Sequence, residues 1–213
     1  MPDPRSVLPF ADLEQQQNAA ELGMWVFLGS ELLLFGALLL GYWVYRFGYA
    51  DGFADATRHT NIVIGAANTA ILLTSSFMVA WAVSLVRVDE SGLASLLFGL
   101  AAIAGLLFLV LKGFEYHDEY REHLVPGLDF RFDAPDGGIV RIFFVYYFVA
   151  TGLHAIHITI GIVLLGAMAW RSRFGCYSPA YHAPPAMVAL YWHFVDVIWI
   201  FLFALIYLPG RSS

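Results

Sequence analysis

Residues 191–210 read YWHFVDVIWIFLFALIYLPG, an apolar run almost unbroken to Leu208 that nevertheless carries His193 and Asp196 three residues apart. Crossing about 30 Å of hydrocarbon takes ~20 helical residues, so this stretch is long enough to span a membrane. The rest of the chain agrees. Of its 213 residues 60% are hydrophobic and 13% charged, and the mean hydropathy is +0.69. Soluble domains carry roughly 45–50% apolar and about 25% charged residues, so this composition belongs to an integral membrane protein.

Working outward, four further apolar segments of spanning length stand at about 25–45, 62–86, 93–111 and 142–170, the last span covering 187–208. A barrel would need alternating strands of ~10 residues, which these continuous runs are not. The predicted fold class is all-α, an integral membrane bundle of five transmembrane helices over residues 24–213. Residues 1–23 form a polar lead-in at the membrane surface. They have no basic n-region and no short apolar core before a small-residue cleavage site, so they do not read as a secretory signal. Cys176 is the sole cysteine, which excludes an intrachain disulfide and a multi-thiolate metal site.

The net charge of −6 comes largely from the connection 112–141, which holds Glu115, Asp118, Glu119, Glu122, Asp129, Asp133 and Asp136. Its PGLDFRFDAPDGG portion is rich in turn formers, and residues 113–140 are predicted to be an acidic loop. The acids read as a solvated face or as a docking surface for a basic partner. Charge alone does not orient the bundle. Arg5, Arg87, Arg171 and Arg173 share one side, while Arg46, Arg58, Lys112, Arg121, Arg131, Arg141 and Arg211 share the other, several of them among acids.

An ionised side chain at mid-membrane costs ~2.5–3.5 kcal/mol on insertion scales, so each one needs a partner or a purpose. Glu31, in FLGSELLLFG, reads as a proton-linked carboxyl or an interhelical hydrogen-bond partner. His154 and His157, in ATGLHAIHITIG, share a helix face at i and i+3. Such a pair can hold a metal or ligate haem, or can hydrogen-bond between helices beside Gly152 and Gly161. No third ligand stands at metal-site spacing, which favours the interhelical contact. His193 and Asp196, again at i and i+3, imply a protein-facing seam. Asn68, Thr69, Thr74, Ser75 and Ser76 give the second span a hydroxylated, small-residue surface of the kind that joins helices in lipid. There is no phosphate-cradling loop, haem-attachment motif or nucleophile–base set, so no catalytic residue is assigned, and nothing points to a nucleic-acid partner.

Five blocks in one order, GSELLLFG, NTAILLTSS, KGFEYHDEY, TGLHAIHITIGI and YWHFVDVIWIFLFALIY, resemble the cytochrome c oxidase subunit 3 family, subunit III of haem-copper oxidases. The resemblance runs from about residue 23 to 208. Many members have seven helices, and this chain is similar to the short five-helix bacterial type. It departs from the long form before YWHF, where His182-Ala183-Pro184-Pro185-Ala186 replaces a Gly-Phe-Glu element. The resemblance implies a non-redox accessory subunit of a proton-pumping terminal oxidase in the bacterial inner membrane, with its N-terminus cytoplasmic. It implies no haem or copper in this chain, both being held by partner subunits, contacts with subunits I and II, and bound structural phospholipid. By the same resemblance Glu31 matches a carbodiimide-reactive, proton-linked carboxyl, and His154, His157, His193 and Asp196 are interhelical or lipid-adjacent residues. The alternatives are the third subunit of a quinol oxidase, a nitric oxide reductase-associated protein, a small transporter lined by Glu31 and the His154/His157 face, or a haem-binding electron carrier through those histidines.

Overall fold

The computed structural model describes residues 13–127, 130, 137–179 and 181–209. Within them lie α1 (Leu13–Gly48), α2 (Ala50–Arg58), α3 (Ile62–Arg87), α4 (Ser91–Arg121), α5 (Gly137–Arg173) and α6 (Ala183–Ile206). All but the short α2 are long and apolar enough to cross a membrane, giving the five-span bundle predicted from hydropathy. In lipid the backbone has no water to bond, and the helix is the local structure that satisfies it internally.

Helix ends follow local chemistry. Asn61 caps α3, its side-chain oxygen accepting from the amides of Val63 at 3.1 Å and Ile64 at 3.2 Å. Pro184 and Pro185 open α6, where their missing donors leave no intrahelical bond unmade. Gly175 ends α5 at φ 64°, and Cys176 N then closes on Arg171 O at 3.2 Å.

α3 packs on α4 and α6, α4 on α5, and α5 on α6, which closes a four-helix ring. α1 lies in the crease between α5 and α6, and α2 folds back onto α5. The centre of the ring is Trp192 on α6, which is fully buried. A Cβ built on Gly161 of α5 would lie 2.5 Å from its ring, and one on Gly105 of α4 would lie 2.9 Å away. The indole N–H donates to Ser75 Oγ of α3 at 3.0 Å. Both glycines are therefore close-approach residues, and Ser75 satisfies the one polar atom that Trp192 brings inside.

α1 buries the smallest share of its surface among the spans. Its inward residues are Leu28, Glu31, Phe35, Leu38 and Tyr42, alternating three and four apart as a coiled-coil seam does. Tyr42 donates to Leu205 O at 2.7 Å and packs edge-on to Phe53 of α2. Leu33, Leu40 and Phe47, on its remaining surface, are exposed apolar residues suited to lipid.

The acidic connection begins later than the sequence predicts, because α4 runs on to Arg121. Lys112, Glu115 and Glu119 continue the inward stripe of Gly105 and Phe108 and are buried, whereas Asp118 and Glu122 stay exposed. The solvated-face reading thus fits Asp118 and Glu122 but not Glu115 or Glu119. Asp129, Arg131, Asp133 and Asp136 lie outside the described residues, as do Arg211 and the first twelve residues of the lead-in; residues 13–23 continue α1.

Filling the Trp192 contact should loosen the ring. Gly161→Ala is expected to cost about 1–3 kcal/mol through overpacking, read as lower resistance to denaturant of the detergent-solubilised chain. Gly166→Ala, where nothing lies within 4 Å, should leave that resistance unchanged or raise it.

Candidate functional site

The bundle has two faces. The N-terminal face carries the start of α1, and the C-terminal face carries α2, the end of α4 and the end of α6. Buried polar side chains are distributed unequally between them, and they fall into two groups.

The first group lies near the middle of the spans and gathers the residues singled out in the sequence. Glu31 Oε2 meets His157 Nε2 at 3.0 Å, joining α1 to α5. His157 Nδ1 lies 2.8 Å from Leu153 O, a carbonyl that can only accept, so Nδ1 carries a proton. One more proton is then shared across Nε2 and Oε2, on whichever of the two holds it. Tyr191 of α6 donates to His157 O at 3.0 Å and fixes the backbone beneath the pair. His193 Nδ1 and Ser76 Oγ are 2.5 Å apart, joining α6 to α3. Asp196 is buried beside Ser76, although neither carboxyl oxygen has a hydrogen bond of normal geometry among the described residues.

His154 differs from its neighbour. It is fully buried between Phe108, edge-on at 5.5 Å, and Trp199, 5.2 Å away, and neither nitrogen has a partner among the described residues. The two histidines are not arranged as a ligand pair. His157 has both nitrogens engaged, and rings from α4 and α6 enclose His154, so these residues do not fit an axial haem site. Among the described residues no three His, Cys, Asp or Glu cluster to hold a metal ion.

The hydroxyls of α3 act as expected of interhelical glue in part. Ser75 and Ser76 take Trp192 and His193, and Thr69 accepts from the Trp199 indole at 3.0 Å. Thr74 bonds only to Ala70 O of its own helix, and both side-chain atoms of buried Asn68 lack a partner among the described residues.

The second group, towards the C-terminal face, was not found in the sequence. Lys112 is 2% exposed, and its ammonium donates to Glu115 Oε2 at 3.0 Å, Tyr147 Oη at 2.8 Å and Tyr207 Oη at 2.6 Å. All three of its donors are thereby used. The rings of Tyr147, Tyr116, Tyr207 and Trp199 surround it at 4.4–5.6 Å, adding cation–π attraction. The Tyr207 hydroxyl in turn donates to Glu115 Oε1 at 2.7 Å. Glu119, one turn on, is 3% exposed and lies beside Tyr147, with neither oxygen in a hydrogen bond of normal geometry among the described residues. Tyr116 and Thr151 meet at 2.6 Å on the flank.

A third feature is apolar. α1 and α6 enclose a groove of about 440 Å³ lined by Trp25, Leu28, Leu32, Phe194, Val197 and Phe201, among others.

The model of the cytochrome c oxidase subunit III family matches residues 12–211. Cytochrome c oxidase subunit 3 of Thermostichus vulcanus is 34% identical over 191 residues, covering 89% of this chain and 87% of the relative. The subunit 3 of Synechocystis sp. is 33% identical over 87% of this chain and 74% of the relative. That of Bacillus sp. (strain PS3) is 30% identical over 89% and 85% respectively.

Breaking the Lys112–Glu115 pair on one side strands a buried charge. Glu115→Gln or Lys112→Met alone is expected to destabilise the bundle by about 3–5 kcal/mol. Lys112→Met combined with Glu115→Leu should recover part of that loss, as a double-mutant cycle in denaturant would measure.

Proposed function

Because the chain belongs to the cytochrome c oxidase subunit III family, we propose that it is the non-redox accessory subunit III of a proton-pumping haem-copper terminal oxidase. It sits in a bacterial plasma membrane with its N-terminus on the cytoplasmic side. It packs against the catalytic subunit I and adjoins subunit II, which between them hold haem and copper. Its own part is to stabilise subunit I and to sustain proton uptake there.

The family match along nearly the whole chain carries this reading, and the site chemistry supports it. Its buried polar side chains join helices to one another, Glu31 to His157 and His193 to Ser76, as suits a subunit whose part is to pack and to hold shape. Within that role Glu31 is the proton-linked residue, a partly buried carboxyl near the midplane that meets an ionisable partner, His157, on another helix. His154, His157, His193 and Asp196 are interhelical polar or lipid-adjacent residues, of which His157 and His193 make hydrogen bonds between helices. The α1–α6 groove receives an acyl chain of a structural phospholipid, its walls being almost wholly apolar and its volume adequate for a chain segment.

Purification in mild detergent through a tag on this chain is expected to bring down a haem-containing larger subunit, seen as a Soret band and by mass spectrometry of the complex. Recovery of a stable assembly without any haem protein would overturn the reading. In the complex, Glu31→Ala should leave the initial rate of oxygen consumption near wild type while turnover decays sooner. Equal decay curves would remove Glu31 from a proton-linked role.

A further inference from the structure

The buried polar groups form a column, and the column has a direction. It starts at the Glu31–His157 pair near the middle of the bundle. Three residues back along α5, about 4.5 Å of helix rise, stands His154, 5.2 Å from the Trp199 ring, which in turn lies 5.6 Å from the Lys112 ammonium. Three further back is Thr151, which bonds Tyr147 O and Tyr116, and then Tyr147 itself, bonded to Lys112. Lys112 leads to Glu115, and Glu119 follows in the last turn of α4, next to exposed Asp118 and Glu122.

Among the described residues no comparable run of ionisable groups leads the other way. From His157 towards the N-terminal face the buried residues of α5 are Ile158, Gly161, Leu165, Met168 and Ser172. Leu28 of α1 and Val188, Ala189 and Trp192 of α6 are buried at that end too, and the buried phenol there, Tyr177, is committed to Met168 Sδ. Further ionisable groups stand on the helices around the pair. On α6, Tyr191 is committed to a carbonyl and His193 to Ser76, and Asp196 is buried on the Ser76 side, with neither oxygen in a hydrogen bond of normal geometry among the described residues. On α1, Tyr42 is committed to Leu205 O, and on α2, Asp55 and Arg58 are exposed.

We propose that the proton shared by Glu31 and His157 exchanges with the C-terminal face, through His154 and the Lys112–Glu115–Glu119 cluster, and not with the N-terminal face. His154 is the relay: a sealed imidazole, neither nitrogen of which has a hydrogen-bond partner among the described residues, standing between His157 and the tyrosine–lysine cluster and packed on Trp199, whose ring also faces the Lys112 ammonium. Glu119 is the port, a buried carboxyl with neither oxygen in a hydrogen bond of normal geometry among the described residues, within one turn of the solvent-exposed acids Asp118 and Glu122. The exchange is balanced, each incoming proton replacing one that leaves, so the pair keeps its charge and no net transport is required.

This rests on the reading of Glu31 as proton-linked, and the test separates the two. In the purified complex, the carboxyl stretch of Glu31 is assigned in the infrared by its loss in Glu31→Gln, and its exchange rate is followed after transfer to deuterated buffer. His154→Leu is expected to slow exchange by roughly a hundredfold, the lower end of what a positioned proton carrier contributes. Glu119→Gln should slow it in the same direction, and Ser172→Ala, on the N-terminal side, should not. Exchange at the wild-type rate in assembled His154→Leu complex, or equal slowing in Ser172→Ala, overturns the route. Should His154→Leu not assemble, an unslowed Glu119→Gln overturns it by itself. A Glu31 band that never exchanges defeats the proton-linked reading instead.

Discussion

One indole holds the ring together. Trp192 sits on α6, presses on glycines of α4 and α5, and donates to a serine of α3, so a single side chain touches every helix of the four. In lipid there is little hydrophobic drive for apolar helices to leave the bilayer, and association depends on close fit and on hydrogen bonds that have nowhere else to go. Trp192 supplies both at one level of the bundle. Two further contacts repeat its logic: His193 to Ser76 at the very next residue, and Trp199 to Thr69 about two turns on. The α3–α6 seam is thus a ladder of aromatic or imidazole donors and acceptors on one helix facing small hydroxyls on the other.

The spans were legible in the sequence because hydropathy is a local property, and a run such as 191–208 can hardly be anything else. The hydroxylated face of α3 and the protein-facing placement of His193 and Asp196 were legible for a related reason: polar atoms in lipid must face protein. What was hidden depended on distance along the chain. Glu31 and His157 were each noticed, but nothing local joins residues 126 positions apart. Lys112, Glu115 and Glu119 were read as part of a charged loop, since charge beyond an apolar run ordinarily marks its end. Their i, i+3, i+7 spacing, continuing from Gly105 and Phe108, was the available signal that the helix and its buried face went on. α2 escaped because nine residues with two aspartates and an arginine resemble a loop until Phe53 and Ala56 find Tyr42 and Phe143.

The two halves of the bundle differ in dielectric character. Towards the N-terminal face the described interior is mostly hydrocarbon and small residues, with Ser172 and Tyr177 among its few buried polar groups. Towards the C-terminal face it holds an ammonium and a carboxyl bonded with two tyrosines, and a second carboxyl, Glu119, beside them. Such a network is stable only when nearly every member is satisfied, and Lys112 and Glu115 meet that condition completely. Membership of the subunit III family gives this asymmetry a setting, an accessory subunit of a membrane-bound haem-copper oxidase.

The Glu31–His157 contact also has a consequence for biosynthesis. α1 emerges from the ribosome first, and its partner histidine is made 126 residues later, a delay of roughly 6–25 s at ~5–20 residues per second. Throughout that interval Glu31 resides in the translocon or the bilayer with no imidazole to meet it. A helix that enters lipid alone must tolerate one buried acid, and the leucines on either side of Glu31 meet that need. The seam closes only after α5 and α6 arrive, which makes the most weakly packed span of the finished protein the one that has waited longest for its place.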